Sequence, residues 1–125
     1  MKNLKNNIVL VVLLLAATIG FSQNDNSDEK LLYHVLLFQW SEGHNVDDKT
    51  EVLNLFKGLP SKVDGLESFE VIKVINSSGN FDSVLIFKLT SKEALKLYEE
   101  HPDHIKASKI APSLISGYAQ YDYWK

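Results

Sequence analysis

The stretch Leu31-Leu32-Tyr33-His34-Val35-Leu36-Leu37-Phe38-Gln39-Trp40 decides the fold. Its ten residues are nearly all apolar and rich in aromatic and aliphatic types, which reads as a strand. Alternation places His34, Leu36, Phe38 and Trp40 on one face and Tyr33, Val35, Leu37 and Gln39 on the other. Both faces are apolar, so both need cover. His34 stands among apolar neighbours. It is either a core histidine satisfied by one hydrogen bond or a pocket histidine able to trade protons near neutral pH.

Downstream, residues 41–45 (SEGHN) read as a loop, and Asn45 or Asp47 can cap a following helix. Val52, Phe56, Leu59 and Val63 recur at helical spacing as one apolar stripe. Pro60 falls inside that stripe, so a kink or break is expected near Leu59, and Gly65 ends the segment. Residues 66–76 and 81–90 read as two strands joined by a turn at 77–80, an antiparallel hairpin. Ser91 caps a helix over 92–100, with Ala94, Leu95 and Tyr98 on one face. His101-Pro102 then interrupts it. Proline suits the first position of a helix, so a second short helix restarts there with Asp103 in its first turn. Pro112 interrupts again, residues 113–116 complete a helical turn or a loop, and Gly117 closes it. Residues 118–124 (YAQYDYW) form the last strand, in which Asp122 must be paired or lie at an edge or a pocket.

The order is β-α-β-β-α-β with a broken second helix. This is the ferredoxin-like α+β layout, a four-stranded antiparallel sheet with helices on one face. The other face needs a cover of its own, and in so short a chain the simplest one is a second copy of the same sheet. The expected assembly is therefore a homodimer joined through sheet faces, a dimeric α+β barrel.

Upstream of the decisive strand lie two further segments. Residues 1–22 read as a signal peptide: Lys2 and Lys5 form a positive region, residues 8–19 an apolar run, and Gly20-Phe21-Ser22 a plausible cleavage site. The alternative is an uncleaved anchor, but spanning a bilayer takes about 20 apolar residues and this run is shorter. Residues 23–30 (QNDNSDEK) read as a disordered spacer, leaving one domain over 31–125. The protein is expected to be exported, periplasmic or secreted, with no stable membrane anchoring after cleavage.

Composition narrows the partners. The chain has no cysteine, so it must hold by packing without disulfides. It has no arginine, its lysines are scattered, and loss of residues 1–22 would move the formal charge from −3 to −5. Nucleic-acid binders cluster positive charge, so no nucleic-acid partner is expected.

The residues that carry a family resemblance come in a fixed order. They are His34 to Trp40, Leu59-Pro60, Gly65-Leu66-Glu67-Ser68-Phe69-Glu70, Phe81-Asp82-Ser83-Val84-Leu85, Tyr98-Glu99-Glu100-His101-Pro102-Asp103-His104, and Tyr121-Asp122-Tyr123. Together they resemble the stress-responsive A/B barrel (Dabb) family of dimeric α+β barrel proteins, over residues 33–124. The family includes plant stress proteins without assigned chemistry. It also includes olivetolic acid cyclase, which closes a linear polyketide by an aldol step without metal or organic cofactor. The resemblance implies a cleft between sheet and helices. It places Tyr98 and His104 as an acid/base pair, with His34 lining the same cleft. It also implies ligand contacts from Leu36, Phe38, Ser83 and His101, and no cofactor. Ser83, beside Asp82, stands where the cyclase has a histidine, so that enzyme's substrate pocket is not reproduced as such.

Two function classes follow. One is a binding domain for a small apolar or aromatic ligand. The other is a cofactor-independent enzyme, cyclase-like or monooxygenase-like, in which His104 takes a proton next to a carbonyl and Tyr98 hydrogen-bonds the developing oxyanion. Against both stands a structural role, with Tyr98 and His104 pinning the helix break to the sheet. A metal held by His101 and His104 with His34 or Asp122 is disfavoured, because His-Pro breaks the helix and no standard ligand spacing is met. His101 fits better as a cap.

Overall fold

The computed structural model describes residues 30–125; the expected signal peptide and nearly all of the expected spacer lie outside the described residues. The elements run β1 (Leu32–Trp40), α1 (Val46–Gly58), a 3-10 turn (Leu59–Ser61), β2 (Leu66–Lys73), β3 (Ser83–Leu89), α2 (Lys92–Glu100), α3 (Pro102–Ile110), a second 3-10 turn (Ala111–Leu114) and β4 (Ile115–Trp124). The four strands form one sheet in the order β2-β3-β1-β4, and every pairing is antiparallel. This is the ferredoxin-like arrangement that the element order demands.

The local chemistry sets each boundary. Asn45 accepts from the Asp48 amide at the start of α1, and Asp47 and Asp48 sit in its first turn, where the helix dipole favours acids. At Pro60 the α-helix tightens into a 3-10 turn, since proline cannot continue the hydrogen-bond ladder. Val52, Phe56, Leu59 and Val63 are all buried, as their stripe requires. Gly65 has φ of 83°, and a side-chain carbon there would fall 2.7 Å from both Ala94 Cβ and Thr90 Oγ1. Only glycine makes that turn into β2. Ser91 caps α2 by accepting from the Ala94 amide, and His101 caps α3 by accepting from the Asp103 amide.

The sheet divides the molecule. Its inner face, with Leu32, Leu36 and Phe38 of β1 and Leu85, Phe87 and Leu89 of β3, joins the helices in one apolar cluster. Its outer face carries Tyr33, Val35 and Leu37 against Lys88, Ile86 and Val84, with Tyr121 and Tyr123 beyond on β4. Val35 is buried there without belonging to the main core, whereas Ile72, Tyr121 and Tyr123 are exposed.

Three strand boundaries differ from the sequence reading by two residues or more. β2 stops at Lys73 rather than residue 76, and β3 starts at Ser83 rather than residue 81. The ladder ends where the Val74 amide makes a last bond to the Asp82 carbonyl. β4 begins at Ile115, so residues 115–117 are strand and Gly117 lies within it rather than ending a turn. A Cβ on Gly117 would meet Gln39 Oε1 at 2.8 Å, directly across the β1–β4 pair. That glycine answers a close approach, not a turn.

Candidate functional site

β1 and β4 set one wall of a cavity, and α2, α3 and the second 3-10 turn set the other. Register puts His34 opposite Asp122, Leu36 opposite Gln120 and Phe38 opposite Tyr118, all on the inner face. The cavity has a volume of about 790 Å³. Its apolar lining includes Leu36, Phe38, Phe56, Ala111, Pro112 and Ile115; its polar lining includes His34, Tyr98, His104, Ser108, Tyr118 and Gln120. That size and mixture suit a drug-sized organic molecule.

The His101-Pro102 break explains why Tyr98 and His104 meet. α2 delivers Tyr98 from its last turn, the chain turns at extended His101, and α3 returns His104 to the same wall. The Tyr98 and His104 rings are 4.4 Å apart between centroids, and His34 meets Tyr98 edge-on at 5.3 Å. Tyr98 is fully buried, yet its hydroxyl has no hydrogen-bond partner. Burial chiefly, and the neighbouring Tyr118, Glu99 and Asp122 in addition, push its pKa above the ordinary phenol value. The group stays protonated and is a standing donor.

Each imidazole is fixed from behind. His34 Nδ1–H donates to Asp122 Oδ1 at 2.6 Å, and His104 Nδ1–H donates to the Glu99 carbonyl at 2.9 Å. In the neutral form both rings therefore keep an Nε2 lone pair. The Ser108 hydroxyl approaches His104 Nε2 at 3.4 Å, one helical turn away on α3. For His34 Nε2 there is no protein partner among the described residues. Burial lowers the His104 pKa, and nearby His34 adds to this against the opposing Glu99 carbonyl, so the ring is held neutral. Tyr118 donates to Gln120 Oε1 at 2.7 Å, which leaves the Gln120 amide hydrogens free to donate.

Of the residues singled out from sequence, His34, Leu36, Phe38, Tyr98 and His104 all line the cavity. Ser83 and His101 lie apart from it. Ser83 is buried beneath Trp40, whose Nε1 donates to its hydroxyl at 2.9 Å, and His101 is occupied in capping α3. Among the described residues, no group of three or more His, Asp or Glu side chains could hold a metal ion. Tyr118, Gln120 and Ser108 were not singled out. Tyr118 and Gln120 alternate with Asp122 along β4, so the strand register alone brings them in. Ser108 follows His104 at the spacing that stacks side chains on one helical face.

Comparison with known proteins agrees with the fold. Residues 32–125 match the Stress responsive A/B Barrel Domain family. A dimeric protein of unknown function and ferredoxin-like fold from Bacteroides fragilis is 28% identical, with a TM-score of 0.58 over 74% of this chain and 94% of its own. A dimeric ferredoxin-like protein of unknown function from Thermobifida fusca is 21% identical, with a TM-score of 0.63 over 77% and 92%. The hydroxynitrile lyase of Passiflora edulis shares the fold at 7% identity, with a TM-score of 0.68 over 78% and 94%. No curated protein matches the chain significantly.

Proposed function

The chain belongs to the stress-responsive A/B barrel family, and on that footing we propose that it is an exported homodimeric protein that binds a small apolar or aromatic molecule in the cavity between sheet and helices. One observation carries the binding role: a cavity of about 790 Å³ whose wall holds the unpartnered, buried hydroxyl of Tyr98. An orphan buried hydroxyl costs about 1–3 kcal/mol, and a ligand oxygen would satisfy it. The dimer is supported by the apolar outer sheet face and by relatives described as dimeric. Export rests on residues 1–22 of the sequence.

A second reading is favoured by the neighbouring His104. A neutral imidazole beside a protonated phenol is the pair needed to remove a proton next to a carbonyl and to stabilise the resulting oxyanion. The enzyme would then be cofactor-independent and cyclase-like, with Tyr98 and His104 as the acid/base pair.

Thermal-shift screening of polyketide-like and aromatic compounds tests both readings. Binding predicts compounds that stabilise the wild type and stabilise Tyr98→Phe clearly less. Catalysis predicts product from one of those compounds with wild type and none with a folded His104→Ala. A screen in which nothing stabilises the wild type would overturn both.

A further inference from the structure

The polar groups of the cavity form a pattern that selects on charge as well as on shape. Its donors are neutral: the Tyr98 hydroxyl and the free amide hydrogens of Gln120. Its acceptors are the Nε2 lone pair of His34, which has no protein partner among the described residues, and that of His104, which a ligand would share with the long 3.4 Å contact from the Ser108 hydroxyl, since each Nδ1–H is already committed to Asp122 or to the Glu99 carbonyl. No lysine lines the cavity, and the chain has no arginine. The ionisable carboxyls nearby are Glu99 in the lining and Asp122 behind His34, both acidic.

An anion entering this site would find no opposing fixed cation. It would lie near two carboxylates, Glu99 and Asp122, which are partly solvated, so the repulsion is damped by water but is offset by no fixed cation. A carboxylate also offers only acceptors, so it would set lone pairs against lone pairs at the imidazoles. An uncharged ligand with one carbonyl and one hydroxyl meets the pattern. The carbonyl accepts from Tyr98 or Gln120, and the hydroxyl donates to an imidazole Nε2. The apolar lining from Leu36, Phe38 and Ile115 takes the rest of the molecule.

We infer that the cavity selects uncharged hydroxyaryl ketones, or molecules with the same donor–acceptor pair, and discriminates against aryl carboxylates. This rests on the ligand-binding reading above and narrows it to one chemical class.

Three matched probes separate the terms. Meta-hydroxyacetophenone carries the donor and the acceptor. Meta-methoxyacetophenone lacks the donor, and meta-hydroxybenzoate replaces the ketone by an anion. Isothermal titration of the full chain at about pH 8, where free imidazole is neutral, should rank the hydroxyketone about tenfold or more above each of the others. Tyr98→Phe should shrink that advantage without unfolding the protein. If the benzoate or the methyl ether binds as tightly as the hydroxyketone, ligand binding stands but the polarity selection is overturned. If none of the three binds, the ligand-binding reading fails for aromatic carbonyl compounds, and this inference fails with it.

Discussion

His34 Nδ1 and Asp122 Oδ1 stand 2.6 Å apart, joining residues directly opposed across β1 and β4. The histidine side chain is almost wholly buried, whereas the carboxylate is about one-third exposed, at 5% and 34%. The pair therefore fixes a buried ring from a solvated edge strand, and it does so on the wall of the cavity.

Asp122→Ala leaves the buried Nδ1–H without its acceptor, at a cost of about 1–3 kcal/mol. Asp122→Asn keeps an acceptor oxygen and should cost clearly less. Urea unfolding of the two variants reads the difference. Equal stabilities would mean that water replaces the carboxylate and that the pair does not position the ring.

Tyr98→Phe separates stability from function. It removes a hydroxyl that has no partner, so the unliganded protein should be as stable as wild type or slightly more so. Affinity for the cavity ligand should fall about tenfold. A Tyr98→Phe variant that is clearly less stable without ligand would show that the hydroxyl already has a partner.

His104 predicts the direction of a pH effect. Its folded pKa is lowered from 6.5, mainly by burial. Below that value the unfolded chain takes up the proton more readily than the folded one. Stability is therefore full above about 6.5 and falls as the pH drops toward the folded value. His104→Gln should flatten this part of the stability–pH curve. Asp103, whose pKa is lowered from 3.8 by its hydrogen bond to Lys62, acts only at lower pH and should leave this window unchanged. Urea midpoints measured between about pH 5 and 8 test the point, and a wild-type curve that rises on acidification would contradict it.

His101 is assigned to the cap and not to the ligand. His101→Ala should cost about 1 kcal/mol, and His101→Asn should recover most of it. Neither should alter ligand affinity measured on folded protein. A loss of affinity with unchanged stability would return His101 to the cavity.

The outer sheet face should hold the dimer. Ile72 and Tyr121 are exposed there, at 43% and 50%, so changing them need not disturb the core. Ile72→Lys with Tyr121→Lys should yield folded monomer, read by sedimentation and by circular dichroism. A variant that stays dimeric would place the interface elsewhere.

The fold was legible because its signals are local and repeat. Alternation in β1, the apolar stripe ending at Pro60, and the cap signals at Asn45, Ser91 and His101-Pro102 each act within a few residues. The meeting of Tyr98, His104 and His34 was legible only through the family motif, because no spacing along the chain encodes it. Asp122 announced its need for a partner, and pairing register supplied His34. What stayed hidden was tertiary. The Glu99 carbonyl that orients His104 is backbone, which leaves no mark on residue type. Ser83 went to Trp40 rather than to the cavity because the cavity lies over β1 and β4, and no β3 residue lines it even though Ser83 stands opposite Phe38. Gly117 resembled a turn residue, but its role is to admit Gln39.

The cavity walled by Tyr98, His104 and His34 is proposed to hold a small organic molecule. Native mass spectrometry of gently purified protein tests this most directly. The expected result is a dimer that carries a small-molecule adduct, or that takes up meta-hydroxyacetophenone, with the amount bound reduced in Tyr98→Phe. A protein that shows no adduct and takes up none of an aromatic panel would contradict it.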